Sequence, residues 1–316
     1  MIEHAGGSVL YVAGWGRSGS TLLAHLLSSV PGIVPLGEVR SLWDRGILEG
    51  RPCSCGQPPA RCPLWSEVIR RSGITAAEAE EVRDLHRRLR TRYFPRLAAR
   101  RLFGRRDPAM ERYVECYQRV YAAAFEVTGA SALVDISKHP FEADRLCRTP
   151  GVRAVHLVRD PRAVAFSWGR TKATGEDAGG DGEETMRRFG PLAASTMWLV
   201  WNLAVELLLG ARLHRVRYED VVAAPERVVA EIVDGAAPPP AGTYGGRAVG
   251  APSGQHLLAG NPDRFRGMRP VKADDEWATR MSGPDARRAT LPAIPLLARY
   301  GYPLAPGRAR RGGATS

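Results

Sequence analysis

At 316 residues, with 44% hydrophobic and 25% charged side chains, the chain has the size and composition of one large globular domain, which excludes a disordered or low-complexity protein. A net charge of +12 points to an anionic partner. No apolar run approaches the ~20 residues of a membrane span and "MIEHAGGSVLYVAG" lacks a secretory pattern, so a cytoplasmic chain without stable membrane insertion is expected.

"SVLYVAG" (8–14) reads as a buried parallel strand that feeds the loop "GWGRSGST" (14–21) and the helix "GSTLLAHLLSSV". Gly14, Gly16 and Gly19 satisfy the dinucleotide pattern G-x-G-x-x-G. Gly14, Gly19 and Thr21 also satisfy G-x-x-x-x-G-K-[ST], with Ser20 standing in place of the lysine. In either case a glycine turn at a helix N-terminus favours an oxyanion. A P-loop kinase would need the missing lysine and a metal-binding acid, for which Asp135 at the end of "LVD" is the one candidate. A dinucleotide fold needs a ribose-binding acid about 20 residues on, near Glu38, at the end of a second strand. The preceding "GIVPLGE" is short and contains Pro35, which suits only an edge or strand end. A third reading has Arg17 supply the charge inside the turn while Ser18, Ser20 and Thr21 donate hydrogen bonds. That set suits a phosphosulfate, which carries less charge than a triphosphate and needs no metal.

Further along, Cys53, Cys55 and Cys62 crowd into "CSCGQPPARC". A zinc site would need a fourth ligand from Cys116, Cys147 or a distant histidine, and the spacing is not a standard knuckle, so a reduced, metal-free, turn-rich loop is expected. Helices are predicted over 75–94, with a threonine cap signal, and over 110–129. The arginine-rich stretch 83–106 reads as a solvated face; nucleic-acid binding lacks any supporting motif. Short strands are predicted at 131–135, 153–158 and 213–220, with a long apolar helix broken at Pro191 before the last of them. An acidic loop (174–184), a Gly/Pro-rich segment (235–255) and a disordered basic tail (305–316) complete the chain. The fold class is therefore α/β: a P-loop-like parallel sheet flanked by helices, in one domain over 1–304, with a helical, cysteine-containing insert at 41–130.

"LVRDPRAVAFSW" (157–168) puts Arg159 at a strand end and Ser167 eight residues on, two turns into the next helix, where both can meet one anion. Arg162 in the same turn either joins them or pairs with Asp160. Together with "RSGSTLL", this pair resembles the sulfotransferases that use 3′-phosphoadenosine 5′-phosphosulfate (PAPS), in the form of the tyrosylprotein, carbohydrate and bacterial small-molecule branches. The resemblance covers about 8–40, 131–170, 213–230 and 255–278, and implies that Gly16, Arg17, Ser18, Gly19, Ser20 and Thr21 form the 5′-phosphosulfate loop and that Arg159 and Ser167 bind the 3′-phosphate. It implies Glu38 as the general base, Lys138 of "DISKHP" beside Arg17 at the transferring group, and Tyr218 of "RYEDVVAAPERV" near the nucleotide. "GNPDRFRGMRPVKADDEW" (260–277) is similar to the basic loop that closes over the donor; Arg264, Arg266 and Arg269 compete there, with Arg264 favoured.

The chain departs from the aryl and steroid branch, which has a first-loop lysine and a histidine base. His139 ranks second as base, and Glu38 has the alternative of pairing with Arg40. The implied reaction is sulfuryl transfer to a hydroxyl of a small-molecule, glycan or lipid acceptor, without a metal. "SLWDRGIL" and the helix around Trp198 and Trp201 lean towards an apolar acceptor. A dinucleotide-dependent oxidoreductase and a non-catalytic nucleotide-binding module are the alternatives. The pattern sets no oligomeric state.

Overall fold

Alternation along strand β1 (Ser8–Ala13) sends Val9, Tyr11 and Ala13 into one hydrophobic cluster and Leu10 and Val12 into another. Burial on both faces is what a central parallel strand requires, and it accounts for the nearly unbroken apolar run. The computed structural model describes residues 7–89, 94, 99, 108–170, 188–234, 255–259, 265 and 271–304. Within these, β2 (Ile33–Gly37), β3 (Ala132–Lys138), β4 (Val152–Val158) and β5 (Leu213–Arg217) complete a sheet of order β2-β3-β1-β4-β5, every pair parallel. The α/β class expected from the sequence is the observed one.

Pro35 does not prevent pairing of the segment that contains it. β2 is the edge strand, where a residue without an N–H is tolerated. At the opposite edge β5 stops at Arg217, and Tyr218 already opens a helix, so the strand expected over 213–220 is shorter than its apolar pattern.

Helix α1 (Ser20–Leu27) follows β1. The segment between β2 and β3 holds a π-helical turn (Leu42–Leu48), α2 (Trp65–Ser72), α3 (Ala76–Arg88) and α4 (Pro108–Thr128). Thr75 and Glu78 form a reciprocal capping box at the start of α3, worth about 1 kcal/mol. On α4, Tyr113, Tyr117 and Tyr121 recur every fourth residue and are fully buried, in the same cluster as Val9, Tyr11 and Trp43. The insert thus shares one core with a face of the sheet. Most of 83–106, the acidic loop 174–184, most of 235–255 and the tail 305–316 lie outside the described residues.

After β3 come α5 (Pro140–Leu146), β4 and α6 (Pro161–Gly169), then α7 (Pro191–Leu209). Pro191 starts α7 rather than breaking it: at the first helical position the missing N–H removes no hydrogen bond. Contrary to the expectation from apolar run length, the stretch Pro191–Arg212 is long and apolar enough to cross a membrane, with a mean hydropathy of 1.6. In the fold it packs against α5, α6 and α11 (Gly283–Leu297), burying Trp198, Asn202 and Val205 and leaving Leu207 exposed. Helices α8 (Tyr218–Ala223), α9 (Pro225–Asp234) and α10 (Glu276–Arg280) complete the described elements.

His156 of β4 is fully buried and donates its Nε2–H to Asn202 Oδ1 at 2.8 Å. Burial lowers its pKa to about 4. The unfolded imidazole takes up a proton below about pH 6.5. The folded one does so only near pH 4, so stability is lost as pH falls through that window. Burial shifts His86 and His139 in the same direction, whereas it raises Asp135 to about 6, which has the opposite sign. We expect His156→Gln to flatten the decline of melting temperature between pH 6.5 and 5, removing up to about 2 kcal/mol of pH dependence; a slope equal to that of the parent chain would contradict this.

Candidate functional site

The loop after β1 is shaped by its neighbours. Gly14, at φ 145°, donates its N–H to Lys138 O (3.2 Å), and a Cβ there would lie 2.4 Å from the Leu157 carbonyl. β1 is wedged between β3 and β4, so the turn leaves no room for a side chain at that position. Gly19 has φ 92° and packs so closely under Tyr218 that a Cβ would stand 2.4 Å from the ring. Helix α1 begins immediately after it, with Ser20 and Thr21 in the first turn, where helix geometry leaves N–H groups without intrahelical acceptors. Ser18 Oγ donates to Trp15 O at 2.6 Å, so this hydroxyl is engaged in shaping the turn. Gly16 O accepts from Trp168 Nε1 (3.3 Å), and the Arg17 guanidinium lies 5.2 Å from the Trp168 ring centre.

Arg159 closes β4, next to this loop. Its guanidinium sits 4.3 Å over the Tyr218 ring, and Nη1 donates to Arg17 O at 3.3 Å. Nη2 donates to the Asp274 carbonyl (2.7 Å) and pairs with Asp274 Oδ2 (3.1 Å). Ser167 is buried on α6. Asp160 caps that helix by accepting from Arg162 N, and also receives Arg162 Nε (2.9 Å) and Nη2 (2.6 Å). Arg162 is fully buried in this pairing, the second of the two roles open to it from sequence.

Glu38 follows β2, and Lys138 ends β3. Lys138 Nζ donates to Glu38 Oε1 at 2.5 Å and to Ile136 O at 2.8 Å. The alternative partner, Arg40, instead pairs with the buried Glu142. Asp135 joins the two strand ends: it accepts from Tyr121 OH (2.6 Å), Ser137 N (2.8 Å), Ser137 Oγ and the Val39 backbone, while Ser137 Oγ accepts from Arg40 N (2.9 Å). Asp135 is thus a buried brace beneath Glu38 and Lys138. His139 donates Nε2–H to Leu89 O (3.0 Å) and lies buried among Phe94, Phe141 and Trp201. Burial, reinforced by Arg40, holds its pKa well below the ordinary histidine range.

Glu38, Lys138, the 14–21 loop, Arg159 and Tyr218 therefore follow the carboxyl ends of β2, β3, β1, β4 and β5 respectively. Arg264, Arg266 and Arg269 lie outside the described residues. Sequence reasoning missed the support of Lys138 and Arg159. Trp201 Nε1 donates to Lys138 O (3.1 Å), and Trp198 Nε1 donates to Arg159 O (3.0 Å). Their three-residue spacing on an apolar helix is the available signal, though bulk alone points to an acceptor surface or core.

The strand order bears on the dinucleotide reading. In that fold the ribose-binding acid closes the strand beside β1, whereas here β3 occupies that place and β2 lies beyond it. The model of the Sulfotransferase family matches residues 10–237. Two solved structures share the fold. The sulfotransferase domain from the curacin biosynthetic pathway is 20% identical, with a TM-score of 0.53 over 96% of this chain and 100% of that one. The sulfotransferase domain of the Synechococcus PCC 7002 olefin synthase is 19% identical, with a TM-score of 0.51 over 96% and 98%. No curated relative matches the chain. With the family match spanning well over half its length, the chain belongs to the sulfotransferase family, and its activity is transfer of a sulfuryl group to an acceptor.

Proposed function

We propose that the chain moves the sulfuryl group of PAPS to a hydroxyl of a small-molecule, glycan or lipid acceptor, with Glu38 as general base. The observation that carries this reading is the 2.5 Å contact between Lys138 Nζ and Glu38 Oε1 at adjacent strand ends, with the glycine loop against the other side of β3. It supplies a carboxylate for the acceptor proton and a cation for the leaving charge in one place. The anion-binding features of the loop suit the donor: a tight glycine turn, a helix N-terminus and the Arg17 side chain beside it. Gly16, Gly19, Ser20 and Thr21 would hold the 5′ end, while Arg159 and Ser167 would hold the 3′-phosphate with Tyr218 under the nucleotide.

Bound there, the donor supplies an activated sulfuryl group. Glu38 takes the acceptor proton as the acceptor oxygen bonds to sulfur. Lys138 and Arg17 stabilise the charge that collects on the bridging oxygen as the sulfur–oxygen bond to phosphate breaks, and the electron pair leaves with adenosine 3′,5′-bisphosphate. Alignment and charge stabilisation are the main demands of this class of transfer.

Calorimetric titration with adenosine 3′,5′-bisphosphate, beside NAD and ATP–magnesium, tests the donor. Metal-independent binding of the bisphosphate is expected, and preference for NAD would overturn the reading. Lys138→Ala should lower turnover by about 100-fold with little change in bisphosphate affinity. Arg159→Ala should weaken bisphosphate binding about tenfold or more, because that contact is remote from the reacting sulfur. Interchangeable effects of the two changes would contradict this division of roles.

Asp274 shares Arg159 through a half-exposed carboxylate, so a phosphate at Arg159 must compete with it. Asp274→Asn should therefore tighten bisphosphate binding by a few-fold, within the ~1 kcal/mol expected of such pairs. Unchanged or weaker binding would place the phosphate elsewhere.

A further inference from the structure

Three thiols and one imidazole converge at a place remote in sequence from the loop and from Arg159. Cys53 Sγ lies 2.9 Å from Cys55 Sγ and 3.4 Å from Cys62 Sγ. His256 Nδ1 lies 3.2 Å from Cys62 Sγ and 3.9 Å from Cys53 Sγ. All four donor atoms fall within 4.8 Å of one another. Cys53 and Cys62 are completely buried. A zinc ion bound at ~2.3 Å to sulfur and ~2.0 Å to nitrogen sets ligand atoms about 3.5–3.8 Å apart, inside the range observed here.

The backbone already holds these ligands in place. Gly56 N donates to Cys53 O (2.9 Å), Cys53 N to Gln57 O (3.0 Å), and Cys55 N to Cys53 Sγ (3.4 Å), the N–H···S contact that a thiolate ligand accepts. His256 is 203 residues from Cys53, yet both of its neighbours are tied to the cysteine loop. Ser54 Oγ donates to Gln255 O (2.6 Å) and accepts from Leu257 N (2.8 Å), Ser54 N donates to Leu257 O (3.0 Å), and Trp65 Nε1 donates to His256 O (2.8 Å). A disulfide would use two of the sulfurs and leave the third and the imidazole convergent without reason. Iron–sulfur clusters typically take four thiolates, and calcium or magnesium would want oxygen ligands.

We infer that Cys53, Cys55, Cys62 and His256 bind one structural zinc ion. Four protein ligands leave no open position, so the ion acts as a clamp and not as a Lewis acid. What it clamps is the approach to Glu38. Two residues after His256, Leu258 N donates to Leu36 O (3.0 Å), and Glu38 N donates to Leu258 O (2.7 Å). The ion thus fastens the chain that leads into the 260–277 segment against the edge of β2, beside the proposed base.

The test is elemental analysis of the full chain purified without chelators. About one zinc per chain is expected, falling at least tenfold in Cys53→Ser and Cys62→Ser. His256→Cys, which restores four ligands, and Cys116→Ser, which lies outside the cluster, should both retain zinc. If the serine variants fail to fold, the parent chain decides. Treatment with a thiol-blocking mercurial should release one equivalent of zinc to an indicator dye, and the cobalt-substituted chain should show thiolate-to-metal charge transfer and tetrahedral d–d bands. A chain that stays metal-free with three reactive thiols after incubation with zinc would overturn the assignment. So would a disulfide among these cysteines in the natively purified chain, or iron in place of zinc. None of these readouts depends on sulfuryl transfer, so the clamp and the proposed activity stand or fall separately.

Discussion

Strand β3 pairs with β1 on one side and β2 on the other, and the chemistry of the site depends on that insertion. Were β2 next to β1, Glu38 would close the strand beside the glycine loop and its neighbour would be the anion cradle. With β3 between them, Lys138 separates the Glu38 carboxylate from the loop, so a cation stands between that carboxylate and any anion the loop would hold. The sheet enforces this arrangement through the buried alternating faces of β1 and β3, since a one-residue slip in either strand would send Leu10 and Val134 into the opposite layer. Asp135 contributes from below: a fully buried carboxylate whose donors come from β3, from α4 and from the backbone just past Glu38.

Backbone strain gathers at the same edge. Among the described residues, the non-glycine positions with positive φ are Arg17, Lys138 and Ala259. Such conformations cost on the order of 1 kcal/mol each and persist where surrounding contacts over-determine them. The contacts are visible here. The Lys138 carbonyl is held by Gly14 N and the Trp201 indole, the Arg17 carbonyl receives Arg159, and Ala259 directly follows the residue that bridges to β2. Two of the three, Arg17 and Lys138, are the cations proposed for the transferring group, so the strain falls on backbone that the proposed site uses.

Much of this was legible in the sequence because strand–turn–helix units are local. The 14–21 loop and the Arg159–Ser167 segment each lie within one unit, and their spacing alone fixes which strand ends and helices carry them. Glu38 and Lys138 are 100 residues apart, and their contact is a product of strand order, which no periodicity records. His256 lies farther still from the cysteines, so the spacing of Cys53, Cys55 and Cys62 was an incomplete pattern until the fold supplied the fourth donor. The two prolines differ in what they reveal. Pro35 suits only an edge or a strand end, and β2 is that edge, whereas Pro191, expected to break a helix, begins one. Bulk is what the sequence shows of Trp198 and Trp201, whereas their indole N–H groups support the strand ends that carry Arg159 and Lys138.

The register Ser8↔Ala132 also has a consequence for biogenesis. During synthesis the first strand leaves the ribosome more than a hundred residues before a strand exists for it to pair with, since β2 does not adjoin it. Until β3 emerges, a segment apolar on both faces has no hydrogen-bonding partner in the sheet, and closing so long a loop is slow. Until then this strand and the segment that follows it are the part of the nascent chain most exposed to aggregation, and the strand is flanked on both sides only once β4 has emerged as well.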